Sequence, residues 1–525
     1  MTQPQTPPPT DGPATGATGA TRAPGAIVPV LAFAGIVVAV MQTLLVPVIK
    51  DLPQLLDTSP SNATWVLTST LLSGAVATPI MGRLGDLFGK RRMLLASLAV
   101  MVVGALISGF TSALLPMIVG RTLQGFAMGA IPLGIGLMRD ELPRERLGSA
   151  MALMSSSIGV GGGLALPLAA AVAQNADWHL LFFGAAGLGV LSIVLTLVAV
   201  PETKTRAPGT FDHLGALGLS VGLVLFLLPI TKGSDWGWSS TTTLGLFAAS
   251  ALVLLGWGVW ELRVTAPLVD LRTTVRREVL LTNLASIMVG VSFYVVSLVL
   301  PQLLQLPSAT GYGLGQSMIV AGLCVAPLGL TMMFTAPVYA RISAKYGPRS
   351  TLILGLLIIA VGYGAGLGLM SAAWQTVVVS VVLGAGIGLA YSSLPALIIG
   401  AVDPSETGAA TGLNTLMRSI GTSVSSAVIG MVLANTANHV GGVAIPTMHG
   451  FRVSFLIATG AVAVGLLLAL FLPGRDRRAT GHRLLAASEG AEPTDVADVT
   501  DVADVTDVAD VTDVVSKEDR AAVAR

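Results

Sequence analysis

The chain is built of long apolar runs separated by short polar connections. Runs near the ~20 residues a helix needs to cross a bilayer lie at 27 to 49, 64 to 82, 92 to 111, 114 to 138, 147 to 173 and 178 to 200. Two more lie at 211 to 231 and 242 to 262, and six follow at 279 to 303, 316 to 341, 349 to 371, 374 to 400, 407 to 435 and 450 to 472. The pattern predicts an all-α membrane protein of fourteen transmembrane helices, grouped six, two and six. Ile27 to Ile49 is too long for the apolar core of a signal peptide and has no basic stretch before it beyond Arg22, so it reads as the first span. The flanks differ in kind. Residues 1 to 26, rich in Pro, Thr, Gly and Ala, hold too little apolar surface to fold alone. Past Pro473 the chain turns polar, and from Thr494 it repeats Thr-Asp-Val-Ala-Asp-Val every six residues, a period of no membrane or helical repeat. The expected organisation is a disordered arm (1–26), a six-helix bundle (27–200), an inserted helix pair with linkers (201–278), a second six-helix bundle (279–473) and a disordered acidic tail (474–525).

Composition sharpens this reading. Of 525 residues 53% are hydrophobic and 11% charged, with a mean hydropathy of +0.80, where soluble domains carry ~25% charged residues. The net charge of +1 hides an acidic end, since residues 483 to 525 hold 4 cations against 11 carboxylates. With the amino terminus inside, nineteen Lys and Arg fall on inner connections and three, Lys50, Lys232 and Arg452, on outer ones. That asymmetry places both termini in the cytoplasm of a cell that carries the chain in its plasma membrane. The acidic inner connection with Asp403 and Glu406 is silent, because the rule counts cations. One cysteine, Cys324, permits no intrachain disulfide, and its apolar setting suits packing.

The most informative polar stretch is Gly82 to Arg92, with three glycines, four cations and one carboxylate between two spans. Pro79, Arg83, Gly89 and Arg91 recur 258 residues later as Pro337, Arg341, Gly347 and Arg349. Gly125 and Gly129 recur as Gly384 and Gly388, and Gly148, Ala150 and Leu153 as Gly408, Ala410 and Leu413. An offset of eight spans between six-span bundles implies two related halves with the pair at 211 to 262 inserted. Parallel repeats of this kind place a substrate site between halves near the bilayer midplane.

On these residues the chain resembles the major facilitator superfamily, specifically the fourteen-span drug:proton antiporters of bacterial multidrug and antibiotic efflux, over roughly residues 27 to 473. Gly82, Arg83, Gly85, Asp86, Gly89, Lys90, Arg91 and Arg92 resemble the superfamily's signature loop, which the resemblance links to gating. Arg121-Thr-Leu-Gln124-Gly125 resembles the fourth-span antiporter motif, implying a part in proton coupling. Gly159, Gly163 and Pro167 match the fifth-span antiporter motif in part, since Leu166, Ala170 and Ala171 replace expected glycines. A carboxylate at Asp86 can accept hydrogen bonds from a helix N-terminus across the half interface. The competing reading gives the loop cations a purely topological role, which fits Arg91 and Arg92 better. The second copy has Ala344 at this position, so such a lock is one-sided.

Arg121 lies inside the fourth span, where an unpaired charge costs at least ~2.5 kcal/mol; its repeat counterpart is Ser380. Its two readings are proton coupling and an arginine satisfied by neighbouring carbonyls. The glycine-rich fifth span suits either a moving interface or tight packing without motion. Where relatives carry an Asp in the first span, this chain has Met41-Gln42-Thr43, and no Asp or Glu falls in the middle of any span. Asp51, just outside the first span, is the candidate that remains. Gln42, Trp65, Asn283, Tyr294, Asn414 and Arg418 are candidates to line a mostly apolar cavity. A cavity with arginines and no carboxylate favours neutral or anionic lipophilic substrates over cationic ones. Five His without metal-ligand spacing, no Gly-x-Ser-x-Gly and no phosphate-binding loop argue against an enzyme, and no metal, cofactor or nucleic-acid partner is expected. The leading expectation is a proton-driven secondary exporter, its alternatives an importer or lipid or siderophore exporter of the same fold and, in another class, a membrane scaffold or sensor.

Overall fold

In lipid every backbone N–H and C=O must find a partner within its own segment. Val, Ile and Gly, poor helix formers in water, are therefore helical throughout the apolar runs. The computed structural model describes residues 24–45, 48, 51–202, 206–440 and 443–473. The expected arm (up to residue 23), Lys50 and the acidic tail lie outside the described residues.

Thirteen helices among the described residues are long and apolar enough to span a membrane. They are α1 (Pro24–Thr43), α2 (Trp65–Phe88), α3 (Lys90–Gly109), α4 (Leu114–Glu141), α5 (Arg144–Asn175) and α6 (Leu180–Ala199). Then come α7 (His213–Trp236), α8 (Thr241–Arg263), α9 (Arg277–Gln305), α10 (Met318–Gly366), α11 (Ala373–Ile399), α12 (Thr407–Asn435) and α13 (Met448–Leu470). The difference from the fourteen expected lies wholly in α10, a 49-residue helix with one non-helical residue, Gly347, at φ 82° and ψ 163°. A straight helix of that length would be about 74 Å, more than twice the ~30 Å hydrocarbon core. Gly347 permits the break because it has no Cβ to oppose a positive φ, and Pro348 behind it disfavours helical ψ. Gly89, 258 residues earlier, makes the same break between α2 and α3 at φ 109°.

Two apolar cores hold the chain. One joins α1 to α6 through residues such as Leu31, Leu94, Met117, Leu133 and Phe182. The other joins α9 to α13 through Val295, Leu303, Leu356, Tyr363 and Phe451. A third cluster, with Leu72, Leu219, Leu223, Leu413 and Leu416, packs α7 on α2 and α12. The outermost helix is α8, in which only Thr243, Ser250 and Glu261 are buried; the Ser250 hydroxyl donates to the Gly222 carbonyl of α7 at 2.9 Å.

Repeat positions occupy matching places. A Cβ on Gly125 would lie 2.6 Å from the Thr70 carbonyl oxygen, and one on Gly384 2.4 Å from that of Leu328. Arg91 donates to the Leu197 carbonyl at the end of α6 at 2.8 Å. Arg349 does the same at the end of α13, to Leu470 at 2.8 Å and Ala469 at 3.3 Å. One expectation shifts. Lys232, expected in a connection, lies in an extended last turn of α7 and is buried, because the Thr64 hydroxyl and the Asp235 carboxylate at 3.3 Å receive its ammonium. A short hairpin pairs Asn438–Val440 with Val443–Ile445 between α12 and α13.

Candidate functional site: a buried latch, an arginine shelf and a polar seam

The first amides of a helix have no partner inside it and carry the positive end of its dipole. At α12 the carboxylate of Asp86, in the last turn of α2, meets two of them. Oδ1 accepts from the Gly408 N–H at 3.0 Å and Oδ2 from that of Ala409 at 2.8 Å. Asp86 is wholly buried. Its charge is balanced by Lys90, also buried, whose Nζ lies 3.6 Å from Asp86 Oδ1 and 2.7 Å from Asp140 Oδ2 on α4. Next to Asp140, Arg139 donates to the Thr407 hydroxyl, so a second contact spans the same junction. The approach needs bare backbone, since a Cβ on Gly82 would sit 2.3 Å from the Gly408 carbonyl oxygen. From the other side, the Ala207 N–H donates to the Asp86 carbonyl at 2.8 Å.

The stretch expected as a loop is helical except at Gly89, and its remaining residues do other things. Arg83 is buried with its Nε unpartnered, Arg91 caps α6, and the exposed Arg92 pairs with Glu202 at 3.5 Å. Gly85 packs against Leu133. The latch is thus Gly82, Asp86 and Lys90 with Arg139, Asp140 and Gly408; Arg91 and Arg92 stay within their own bundle. Arg139 and Thr407 were not singled out from sequence, and only the fold brings them together.

Deeper along α4, Arg121 is 1% exposed. Its guanidinium donates to the Met41 carbonyl at 3.1 Å, the Val66 carbonyl at 3.4 Å and Gln124 Oε1 at 2.5 Å. Gln124 is held in turn, its Nε2 donating to the Ser108 hydroxyl at 3.2 Å. Thr70 donates to the Arg121 carbonyl at 3.1 Å, beside the close approach at Gly125. Arg121 is a shelf spanning α1, α2 and α4, met by neutral acceptors. Gln42 is half-buried beside Met41. Asp51 is exposed before the short helix Leu52–Leu55 and shares no hydrogen bond with this group.

All three fifth-span positions meet α10. A Cβ on Gly159 would lie 2.4 Å from Met332 Sδ and one on Gly163 3.3 Å from the Ala326 carbonyl oxygen, while Pro167 faces Gly322. Ser156 adds a hydrogen bond to the Met332 carbonyl at 2.6 Å.

A polar seam runs between α9 and α12. Asn414 Nδ2 donates to Asn283 Oδ1 at 2.9 Å and to the Ser286 hydroxyl at 2.7 Å, and higher up Tyr294 pairs with Ser426 at 2.9 Å. Arg418, one turn beyond Asn414, lays its guanidinium 4.5 Å from the Tyr391 ring centroid. Trp65 does not join this seam; it sits 5.1 Å from Lys232 Nζ and lines a crevice of about 580 Å³ between α2, α4 and α7.

Thirteen helices long enough to span a membrane, in two bundles joined by buried polar contacts, have the architecture of a membrane transporter. The Major Facilitator Superfamily matches residues 31–426 and 282–498, and the chain belongs to that superfamily. It is 27% identical over 394 residues to the tetracenomycin C resistance and export protein of Streptomyces glaucescens, covering 73% of this chain and 71% of that protein. It is 29% identical over 395 residues to a probable actinorhodin transporter of Streptomyces coelicolor, covering 70% and 65%. A multidrug resistance protein B homolog of Mycobacterium tuberculosis is 24% identical over 466 residues, covering 81% and 85%. Among solved structures, the proton:xylose symporter XylE shares the fold with a TM-score of 0.59 and 13% identity, over 86% of this chain and 96% of that one. As a superfamily transporter, the chain is not an enzyme.

Proposed function

We propose that this protein is a secondary active exporter of small lipophilic compounds, driven by the proton gradient across the plasma membrane. Two six-helix halves, α1 to α6 and α9 to α13 with α10 supplying two spans, rock about the substrate, and α7 and α8 ride as an inserted pair. Both termini and the Asp86 latch lie on the cytoplasmic side, as the cation asymmetry asks. The observation that carries this reading is the latch: Asp86 holds two α12 amides across the halves, and such a contact can be made in one access state and broken in the other. The names of the relatives, a tetracenomycin C resistance and export protein and a multidrug resistance protein B homolog, supply the direction and the cargo.

Substrates are neutral or anionic, because the interior offers cations buried arginines and no acidic partner in mid-span. Proton coupling runs through the Arg121 and Gln124 shelf, where a change in hydrogen bonding rearranges three helices at once. The test is export from vesicles holding the purified protein, with and without an imposed pH gradient. The natural chain should accumulate a neutral or anionic lipophilic dye only with the gradient, and Arg121→Ala should lose that dependence. Equal accumulation without a gradient sinks proton coupling. Strong Arg121-dependent movement of a quaternary ammonium dye sinks the charge preference.

A further inference from the structure

The seam between α9 and α12 contains a buried donor without a partner, Asn283 Nδ2, and beside it an arginine that makes no hydrogen bond to a described residue. Arg418 is 7% exposed, and its guanidinium accepts the face of Tyr391 as its neighbour but donates to no described residue. One turn away on the same face, at the i, i+4 spacing that stacks side chains, Asn414 holds Asn283 by its Oδ1, which leaves Asn283 Nδ2 buried and unpartnered. Leaving a buried charge unpaired costs several kcal/mol, and an unmet amide donor adds to that. Arg121 makes the contrast, for its guanidinium has three acceptors.

From this unmet donor and the arginine beside it we propose that Arg418, Tyr391 and Asn283 form the site in the second half that binds the anionic group of an aromatic substrate. Stacking on Tyr391 occupies the guanidinium's face and leaves its in-plane N–H groups free, the fork that matches a carboxylate. Asn283 Nδ2, unpartnered on the same seam, supplies a further donor. Phe293 of α9, whose ring centroid lies 5.6 Å from that of Tyr391, extends the aromatic wall for a planar body. The substrate class is therefore a planar aromatic acid, ionised as a carboxylate or phenolate. This rests on the export reading and adds a site to it.

The test compares anthracene-9-carboxylate with its methyl ester, by fluorescence titration of the purified full chain and by export from vesicles. The natural chain should bind the carboxylate about tenfold more tightly than the ester. Arg418→Gln should erase that difference by weakening the carboxylate far more than the ester, while Arg418→Lys keeps part of it. Asn283→Ala should narrow the preference to about threefold, and it decides the matter should the arginine variants not fold. Equal binding of acid and ester by the natural chain overturns the inference, as does an equal loss of both in Arg418→Gln, the mark of a packing role. Export of the ester without any preference for the acid defeats this site alone. A binding preference for the acid with no export of either compound defeats the export reading and keeps the site.

Discussion

At Asp86 each carboxylate oxygen takes one backbone N–H, so charge and geometry both matter. Asp86→Asn keeps the shape but turns one acceptor into a donor facing an amide. The expected loss is about 1 to 3 kcal/mol of latch stability, read as faster hydrogen exchange at Gly408 and Ala409 with the rest of α12 unchanged. Asp86 was legible in the sequence because a lone carboxylate among glycines and cations beside a span has few uses. Its partners were not, since they are backbone groups 322 and 323 residues away. Arg121 was legible as an intramembrane charge, but its partners are two carbonyls and a glutamine, and carbonyls carry no side-chain signature. Lysine has no fork to span three acceptors. Arg121→Lys should therefore lose gradient-driven export about as fully as Arg121→Ala in the vesicle assay, while holding more of its thermal stability.

At the scale of helices, duplication shows as shared mechanical roles. Arg91 and Arg349 each place a cation on the free carbonyls ending a helix, α6 and α13. Removing either with Gln should cost about 0.3 to 1 kcal/mol and speed exchange in the last turn of that helix only. The crossings at Gly125 and Gly384 are tighter constraints, because a Cβ at either meets backbone that cannot turn aside. Leucine at either position should overpack its crossing by at least about 1 to 3 kcal/mol, lowering the melting temperature in detergent by similar amounts for the two variants. The sequence marked these glycines through their recurrence. It separated the spans at 316 to 341 and 349 to 371, between which α10 breaks at Gly347, but not the positive φ that makes the break, for hydropathy averages over a window and cannot see one glycine's φ.

For the whole molecule, α7 is more than a spacer. It buries Leu219 and Leu223 between α2 and α12, and its Lys232 reaches Thr64, so the insertion touches elements of both cores. α8 by contrast presents most of its surface outward. The six-residue repeat, outside the described residues, carries a carboxylate at every third position, and like charges repel. Deleting residues 474 to 525 should leave export within about twofold of the full chain in the same vesicles. A larger loss would give the tail a working part in transport.

Sequence alone determined where the helices run, how unevenly the cations fall on their connections and which pairs of positions repeat. Those properties are local or additive: a bilayer of set thickness selects apolar length, and charge beside a span is counted residue by residue. Only the tertiary structure decided that Asp86 holds the start of α12, that Arg121 has three acceptors and Arg418 none among the described residues, and that Lys232 is buried. Each of these depends on which groups meet across hundreds of residues, and much of what meets is main chain, identical at every position until the fold singles it out.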